Sequence, residues 1–395
     1  MIAPFAIAAL PRIEFGAGAV QKLPDLAARF GARLLLVTGA GSFAASPHAG
    51  ALFQALRQRG LSWQTVEVAG EPSPELVDGA VRAVHGTGIK VVVGIGGGSV
   101  LDAAKAIAGL IAPGNSVMDH LEGVGADKPY RGPATPFIAV PTTAGTGSEA
   151  TKNAVLSRIG ADGFKKSFRD DALIARVAIV DPDLLATCPP ALVAANGMDA
   201  LTQLLESYVS ARANPLTDAL ALSGLAAVRD ALLDWYDRGA AAVEARAGMA
   251  YAALVSGICL AQTGLGSVHG LASPLGALFP IPHGVVCGTL VAAATQVNIE
   301  AMTARDPQNP ALAKYAAAGR LLANAEGASA EAARTALVAT LADWTQRLAL
   351  PRLSALGVVA DDVARIVAGS RGSSMKTNPV MLTDDEIARV VAARL

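Results

Sequence analysis

The chain of 395 residues carries 32 lysines and arginines against 33 aspartates and glutamates, a net charge of −1, and 52% apolar residues. At roughly 150 residues per domain this is a two-domain globular protein with ample material for large cores. The balanced charge excludes a broad basic face for nucleic acid and a basic helix for an anionic membrane, which leaves small molecules as the expected partners.

In chain order, Met1 to Leu10 is apolar without a basic stretch and meets Pro11 and Arg12, so it reads as a first strand rather than a signal peptide. No uninterrupted apolar stretch approaches the roughly 18 residues of a membrane span. Short runs apolar on both faces follow at Arg33 to Thr38, Ser62 to Val68, Val91 to Ile95, Phe137 to Val140 and Val177 to Val180. Alternating with helical patterns, they predict a mostly parallel α/β sheet. At Pro189-Pro190 the pattern changes, and Ala/Leu-rich segments such as Pro215 to Tyr236, Ala240 to Leu260 and Ala311 to Leu348 carry helical spacing. The expected domains are therefore 1–189, α/β, and 190–395, all-helical. Cys188, Cys259 and Cys287 are odd in number, far apart and free of CxxC spacing; they read as reduced, core-packed thiols of a cytoplasmic protein.

Two loops in the first half suit a nucleotide. Gly96-Gly97-Gly98-Ser99 joins a buried strand to a helix and presents bare backbone N–H groups beside a helix N-terminus, a cradle for diphosphate, although its spacing is neither GxGxxG nor a Walker motif. The plainer reading is a tight turn with Ser99 as N-cap. Pro141 to Glu149 also follows a buried strand and supplies Thr142, Thr143, Thr146 and Ser148, hydroxyls that suit ribose and phosphate oxygens or merely cap the next helix. Two such loops after strands of one sheet favour a nucleotide at the carboxyl ends.

The second half holds the residue set of a one-metal site. Asp199 and Gln203 stand at i, i+4 on one helix face, and two of the five histidines, His269 and His283, lie in a Gly/Pro-punctuated stretch downstream. His269 reads as closing a helix after Gly264 and Gly266, with Pro274, Pro280 and Pro282 preventing a continuous helix to His283. His48, His85 and His120 read as surface or structural residues.

The GGGSxxDxAK string at 96 to 105, PTTAGTGSE at 141 to 149, Asp181-Pro182, the GMDALT segment, HGxAxPLGA and the late Asn378-Pro379 together resemble the iron-containing, or group III, alcohol dehydrogenases over essentially the whole chain. The resemblance implies a Rossmann-like dinucleotide-binding α/β domain, an all-α C-terminal domain in the architecture shared with dehydroquinate synthase, and a cleft holding nicotinamide beside a divalent metal, Fe2+ or alternatively Zn2+. It also implies a homodimer and a small alcohol, aldehyde or ketone as substrate. Hydride would pass between the nicotinamide and a carbonyl carbon, with catalysis resting on Asp199, His269 and His283. Asp102 joins the cofactor loops by the same motif.

The family's metal is held by one Asp and three His, matching Asp199, Gln203, His269 and His283. Gln203 departs from that pattern: a neutral amide oxygen is a weaker donor than imidazole, leaving open a distant Gln203, a water in its place, or no metal at all. Ser273 stands where many relatives carry a further histidine, and a serine is no general acid near neutral pH. Relatives that prefer NAD often carry Asp where Gly39 stands; Gly39, with Ser42 nearby, leans the choice to NADP with NAD still open. Lys166 resembles the family's lysine beside the nicotinamide ribose, with Lys165 an equally simple candidate. Lys376 reads as a surface lysine or, alternatively, a group favouring an anionic substrate. The alternatives in function are a metal-free nucleotide-binding protein of the same fold, and a synthase or phosphate-substrate relative, for which the helical half lacks the basic cluster.

Overall fold

A computed structural model describes residues 2–41, 43–160 and 162–395, which divide into two compact units, one of residues 9–158 and 163–188 and one of residues 2–8, 159–160, 162 and 189–395 among those described.

In the first unit, among the described residues, six parallel strands form one sheet in the order β1-β8-β5-β4-β2-β3. They are β1 (Arg12–Phe15), β2 (Arg33–Gly39), β3 (Ser62–Val68), β4 (Val91–Gly96), β5 (Phe137–Pro141) and β8 (Val177–Val180), while β6 (Asn153–Arg158) and β7 (Phe164–Arg169) make a separate antiparallel hairpin. The helices are α1 (Leu23–Ala28), α2 (Pro47–Gln58), α3 (Pro74–Val84) and α4 (Gly98–Leu110). Every residue of β4 and β5 is buried, as the runs without alternation predict. Small residues let α4 lie close on the sheet: a Cβ at Gly94 would stand 2.9 Å from Ala104 Cβ. The chain runs from β2 outward to β3 but from β4 towards β5 on the other side, so the sheet reverses direction between β2 and β4. Open α/β sheets bind ligands at the carboxyl ends of strands flanking such a reversal.

Two sequence expectations change here. The first strand is Arg12–Phe15, paired with β8, and residues 2–11 form neither strand nor helix; Pro4 and Pro11 within that stretch have no N–H for a ladder. The β6–β7 hairpin had no counterpart in the sequence reading, because FKKSFR is too polar to register as an apolar run.

The second unit is helical: α5 (Pro190–Val209), α6 (Pro215–Arg238), α7 (Val243–Thr263), α8 (Ser267–Leu278), α9 (His283–Arg305), α10 (Pro310–Leu322), α11 (Ala330–Arg347), α12 (Val363–Gly369) and α13 (Asp384–Ala392). Helix α5 is its centre, buried almost throughout from Val193 to Val209 and packed against α6, α7 and α9. Glycines set the close approaches: a Cβ at Gly284 of α9 would stand 2.4 Å from the Ala195 carbonyl oxygen, and one at Gly197 would stand 2.2 Å from Leu232. The segment Ala311 to Leu348 is two helices rather than one, broken where Asn324 takes a left-handed conformation with φ 51°. The helix does not continue to His283, as expected: Pro274 is accommodated inside α8, and the break falls at 279–282, where Pro280 and Pro282 stand. Helices α7 and α9 are long and apolar enough on average to cross a membrane, although neither is an uninterrupted apolar run; 67% of the apolar stretch of each is buried, as in core helices of a bundle.

Candidate functional site

The helical unit brings Asp199, His269, His283 and Cys287 together, with one donor atom from each lying within 4.8 Å of the others. Asp199 comes from the middle of α5. His269 is the third residue of α8, so it opens a helix rather than closing one: Gly264 ends α7 and Gly266 caps α8. His283 is the first residue of α9, and Cys287 follows one turn later on the same face. His269 Nε2 stands 3.3 Å and His283 Nε2 3.7 Å from Asp199 Oδ1, and Cys287 Sγ is 3.6 Å and 3.8 Å from the same two nitrogens.

These residues fit a cation. Asp199 is fully buried, and neither carboxylate oxygen has a hydrogen bond of ordinary geometry, with only the two imidazoles standing close as charge partners. An unsatisfied buried carboxylate costs more than the 1–3 kcal/mol typical of a neutral group, roughly, and a bound cation removes that cost. The His283 side chain retains 24% exposure, so the centre is reachable from solvent. A reachable face is what separates a catalytic metal site from a closed structural one.

Behind the donors, Glu206 holds His269 in place. It lies seven residues after Asp199 on α5, and its Oε2 stands 2.7 Å from His269 Nδ1 while its carboxylate accepts the Gly266 and Val268 N–H groups at 2.9 and 2.7 Å. With Nδ1 donating to Glu206, Nε2 is the nitrogen that faces Asp199 and Cys287, and a bound cation would take its lone pair. Asn378 supports the same turn, accepting the Ser267 N–H at 3.0 Å and exchanging hydrogen bonds with Asn298 of α9. The late segment therefore braces α8, and Lys376 within it is exposed.

Burial alone would raise the Asp199 pKa, but the charge of His283 and the approach of His269 outweigh it and hold the carboxyl below its ordinary value. Burial likewise opposes protonation of His269; Cys287, Asp199 and Glu206 around the ring outweigh it and keep its pKa well above normal. Burial pushes the Cys287 thiol up to about 12, with His269 pulling the other way. Such opposed pulls in one cluster are typical of functional sites.

Gln203 is buried one turn after Asp199, and its amide oxygen, the only ligand atom it offers, accepts a hydrogen bond from Ser256 Oγ at 2.8 Å. Ser273 lies on α8, one turn beyond His269. Sequence reasoning missed Cys287 and Glu206. The i, i+4 spacing of Cys287 from His283 was the available signal for the first; Cys287 is a buried, reduced thiol as the sequence predicts, and it also lies among the candidate donors.

In the α/β unit, the predicted cofactor loops meet at the carboxyl edge of adjacent strands. Gly39 ends β2, and Ser42 lies outside the described residues. Gly96 ends β4, Gly97 rather than Ser99 caps α4, and Ser99 sits in its first turn. A Cβ at Gly97 would stand 3.2 Å from Thr143 Oγ1, and one at Gly98 2.8 Å from Thr146, so the glycines let the two loops touch. Thr142, Thr143 and Thr146 are half-buried at this edge. Lys166 is exposed on β7, whereas Lys165 on the opposite face pairs with Glu71 at 3.0 Å. His85 and His120 each bond a backbone carbonyl at 2.8 Å, as structural histidines do.

Asp102 and Ser148 are spent on each other. Ser148 Oγ donates to Asp102 Oδ1, Val155 N–H donates to Oδ2, and the fully buried Lys105 donates to Ser148 O, Ser148 Oγ, Thr151 Oγ1 and Asn153 O at 2.6–3.0 Å. The sequence motif contained Lys105 without revealing this role. Lys105→Met should cost about 3–5 kcal/mol of unfolding free energy, since it leaves Asp102 and the four acceptors beside an apolar chain. Urea unfolding measures this, and a loss below about 1 kcal/mol would mean that water replaces the ammonium.

Two family profiles match the chain, "Iron-containing alcohol dehydrogenase" over residues 11–182 and "Fe-containing alcohol dehydrogenase family, C-terminal" over residues 193–395. Alcohol dehydrogenase 4 of Saccharomyces cerevisiae strain YJM789 is 31% identical over 387 residues, 97% of this chain and 96% of that protein. Lactaldehyde reductase of Escherichia coli strain K12 is 33% identical over 358 residues, 88% of each. The crystal structure of a 1,3-propanediol oxidoreductase superposes with a TM-score of 0.89 at 28% identity, covering 100% of both chains.

Proposed function

The chain belongs to the iron-containing alcohol dehydrogenase family, and on that premise we propose that it reduces small aldehydes or ketones with NADPH in preference to NADH, and oxidises the corresponding alcohols, as a cytoplasmic homodimer. The observation that carries this reading is the convergence of His269 and His283 on a buried Asp199 carboxylate with no hydrogen bond. The preference for NADPH rests on Gly39 at the end of β2, where a carboxylate would repel a 2'-phosphate. The dimer and the cytoplasmic location rest on the family resemblance and on the reduced cysteines.

When bound, a divalent cation supplies a Lewis acid for the substrate oxygen, and the nicotinamide supplies or accepts the hydride. Asp199 provides a carboxylate anion to the site. Glu206 fixes the His269 tautomer so that Nε2 is aimed at the donor cluster. Ser273 Oγ can relay a proton but does not titrate near neutral pH, so the proton entering the alcohol comes from solvent.

Metal-stripped protein assayed with NADPH and NADH against a panel of small aldehydes, before and after adding Fe(II) or Zn(II), tests the reading. Turnover should need the metal and be faster with NADPH. Gly39→Asp should lower the NADPH to NADH ratio of kcat/KM by at least roughly tenfold, about 1.4 kcal/mol of discrimination. Cofactor binding without turnover on any aldehyde after metal addition would instead favour a nucleotide-binding protein that has lost redox chemistry.

A further inference from the structure

We infer that Cys287 is a thiolate ligand of the metal centre, supplying the fourth protein donor in place of Gln203 and making the site an N2OS set suited to zinc rather than iron. The inference rests on the reading above that Asp199, His269 and His283 hold a divalent cation, and goes beyond it in assigning the fourth donor.

The distances carry it. An ion with bonds of about 2.0–2.1 Å to nitrogen or oxygen and about 2.3 Å to sulfur sets tetrahedral edges of about 3.4 Å between nitrogen and oxygen and about 3.6 Å between nitrogen and sulfur. Asp199 Oδ1 stands 3.3 and 3.7 Å from the two imidazole nitrogens, and Cys287 Sγ stands 3.6 and 3.8 Å from the same nitrogens. All four donors lie within 4.8 Å of one another. In the metal-free protein the thiol lies within sulfur hydrogen-bond distance of both imidazoles, and the same spacing lets a cation take the place of its proton.

Gln203 is the competing donor. Its amide oxygen is already engaged by Ser256 Oγ at 2.8 Å and is neutral and hard, whereas a thiolate is a strong donor to borderline and soft cations. Thr202, beside it on α5, turns its hydroxyl to the Met198 carbonyl and offers nothing to the cluster. On α9, by contrast, His283 and Cys287 share a face one turn apart, so one helix presents two ligands. The other cysteines are engaged elsewhere: Cys188 Sγ donates to Thr142 O at 3.3 Å and Cys259 Sγ to Thr217 O at 3.7 Å.

Ligation releases the thiol proton to solvent, and two anionic donors, Asp199 and Cys287, then balance the charge of the cation. With these four residues holding the cation, substrate would approach it from the side where His283 is partly exposed. A neutralised centre is a weaker Lewis acid than one held by Asp and three His, and it binds more tightly than the three-donor site that Gln203 would leave.

The test is an anaerobic titration of the metal-stripped full-length protein with Co(II), the spectroscopic surrogate for zinc, with bound cobalt measured by competition against a chromophoric chelator. Wild-type protein should take up one equivalent and develop a near-ultraviolet sulfur-to-cobalt charge-transfer band. Cys287→Ala and Cys287→Ser should lose the band and bind cobalt roughly tenfold to a hundredfold more weakly. Gln203→Ala should keep the band. Cobalt bound by wild type without the band, a band persisting in Cys287→Ala, or unchanged affinity in both cysteine variants would each overturn the thiolate ligand while leaving a metal site in place. If wild type takes up no cobalt at all, the metal reading itself falls, and the cysteine assignment with it. The wild-type spectrum decides the matter even where a variant fails to fold.

Discussion

Asp199→Ala is expected to abolish carbonyl reduction, with kcat/KM falling by roughly 10^3-fold or more, while the metal-free protein keeps its fold but loses stability. The activity estimate follows from chemistry: Lewis-acid stabilisation of a developing oxyanion supplies several kcal/mol, and each 1.36 kcal/mol is about tenfold in rate. The stability estimate follows from charge. Asp199 is fully buried, but His283 and His269 hold its carboxyl below the ordinary value, so in the metal-free protein the carboxylate is matched by the imidazoles, and alanine leaves them without that anion. Wild-type protein, by contrast, should gain about 2.7 kcal/mol from metal at a hundred times its Kd, roughly 5–10 °C in Tm for a unit of this size. Thermal unfolding with and without added Zn(II) separates the two effects. A metal-free variant as stable as wild type would mean that the imidazoles do not stabilise the Asp199 carboxylate, and retained turnover would remove Asp199 from the catalytic site.

Glu206→Ala should destabilise the helical unit by about 3–5 kcal/mol and weaken metal binding by roughly tenfold to a hundredfold. One carboxylate accepts from His269 Nδ1 and from the Gly266 and Val268 N–H groups, all buried at the turn where α8 begins. Alanine strands three donors at once around the space that the carboxylate leaves. The imidazole then loses the partner that fixes its tautomer. Glu206→Gln keeps one acceptor oxygen and should fall between alanine and wild type in both readouts. Chemical denaturation and cobalt titration report the two losses separately. An unchanged metal affinity in a destabilised variant would reduce Glu206 to a cap for α8.

Much of the α/β unit was legible because its central strands are buried on both faces and therefore read as unbroken apolar runs; β2, β4, β5 and β8 lie where VLI-rich segments predict them. The hairpin of β6 and β7 was not, because its pairing partner rather than its own composition makes Phe164–Arg169 a strand. Helix α8 shows the same limit from the other side. Pro274 signals a break, yet it lies inside the helix because packing of the buried face outweighs one missing hydrogen bond.

The sequence by itself determined the family, the two kinds of architecture, and three of the donors, since Asp199, His269 and His283 sit in motifs whose spacing is local. It also contained the glycines that let the two loops of the α/β unit touch, because Gly97 and Gly98 are required by backbone approach whatever the rest of the chain does. What only the tertiary structure decided is which remaining residues join those donors. Gln203 and Cys287 are equally good candidates by spacing, one turn from Asp199 and one turn from His283. Hydrogen bonding to Ser256 engages the first, and the crossing of α5, α8 and α9 puts the second at ligand distance from both imidazoles. Glu206 likewise becomes a partner of His269 only when α8 is laid beside α5, 63 residues apart in sequence. Spacing along one helix fixes which side chains share a face, but the meeting of faces is set by packing between helices, which no local pattern encodes.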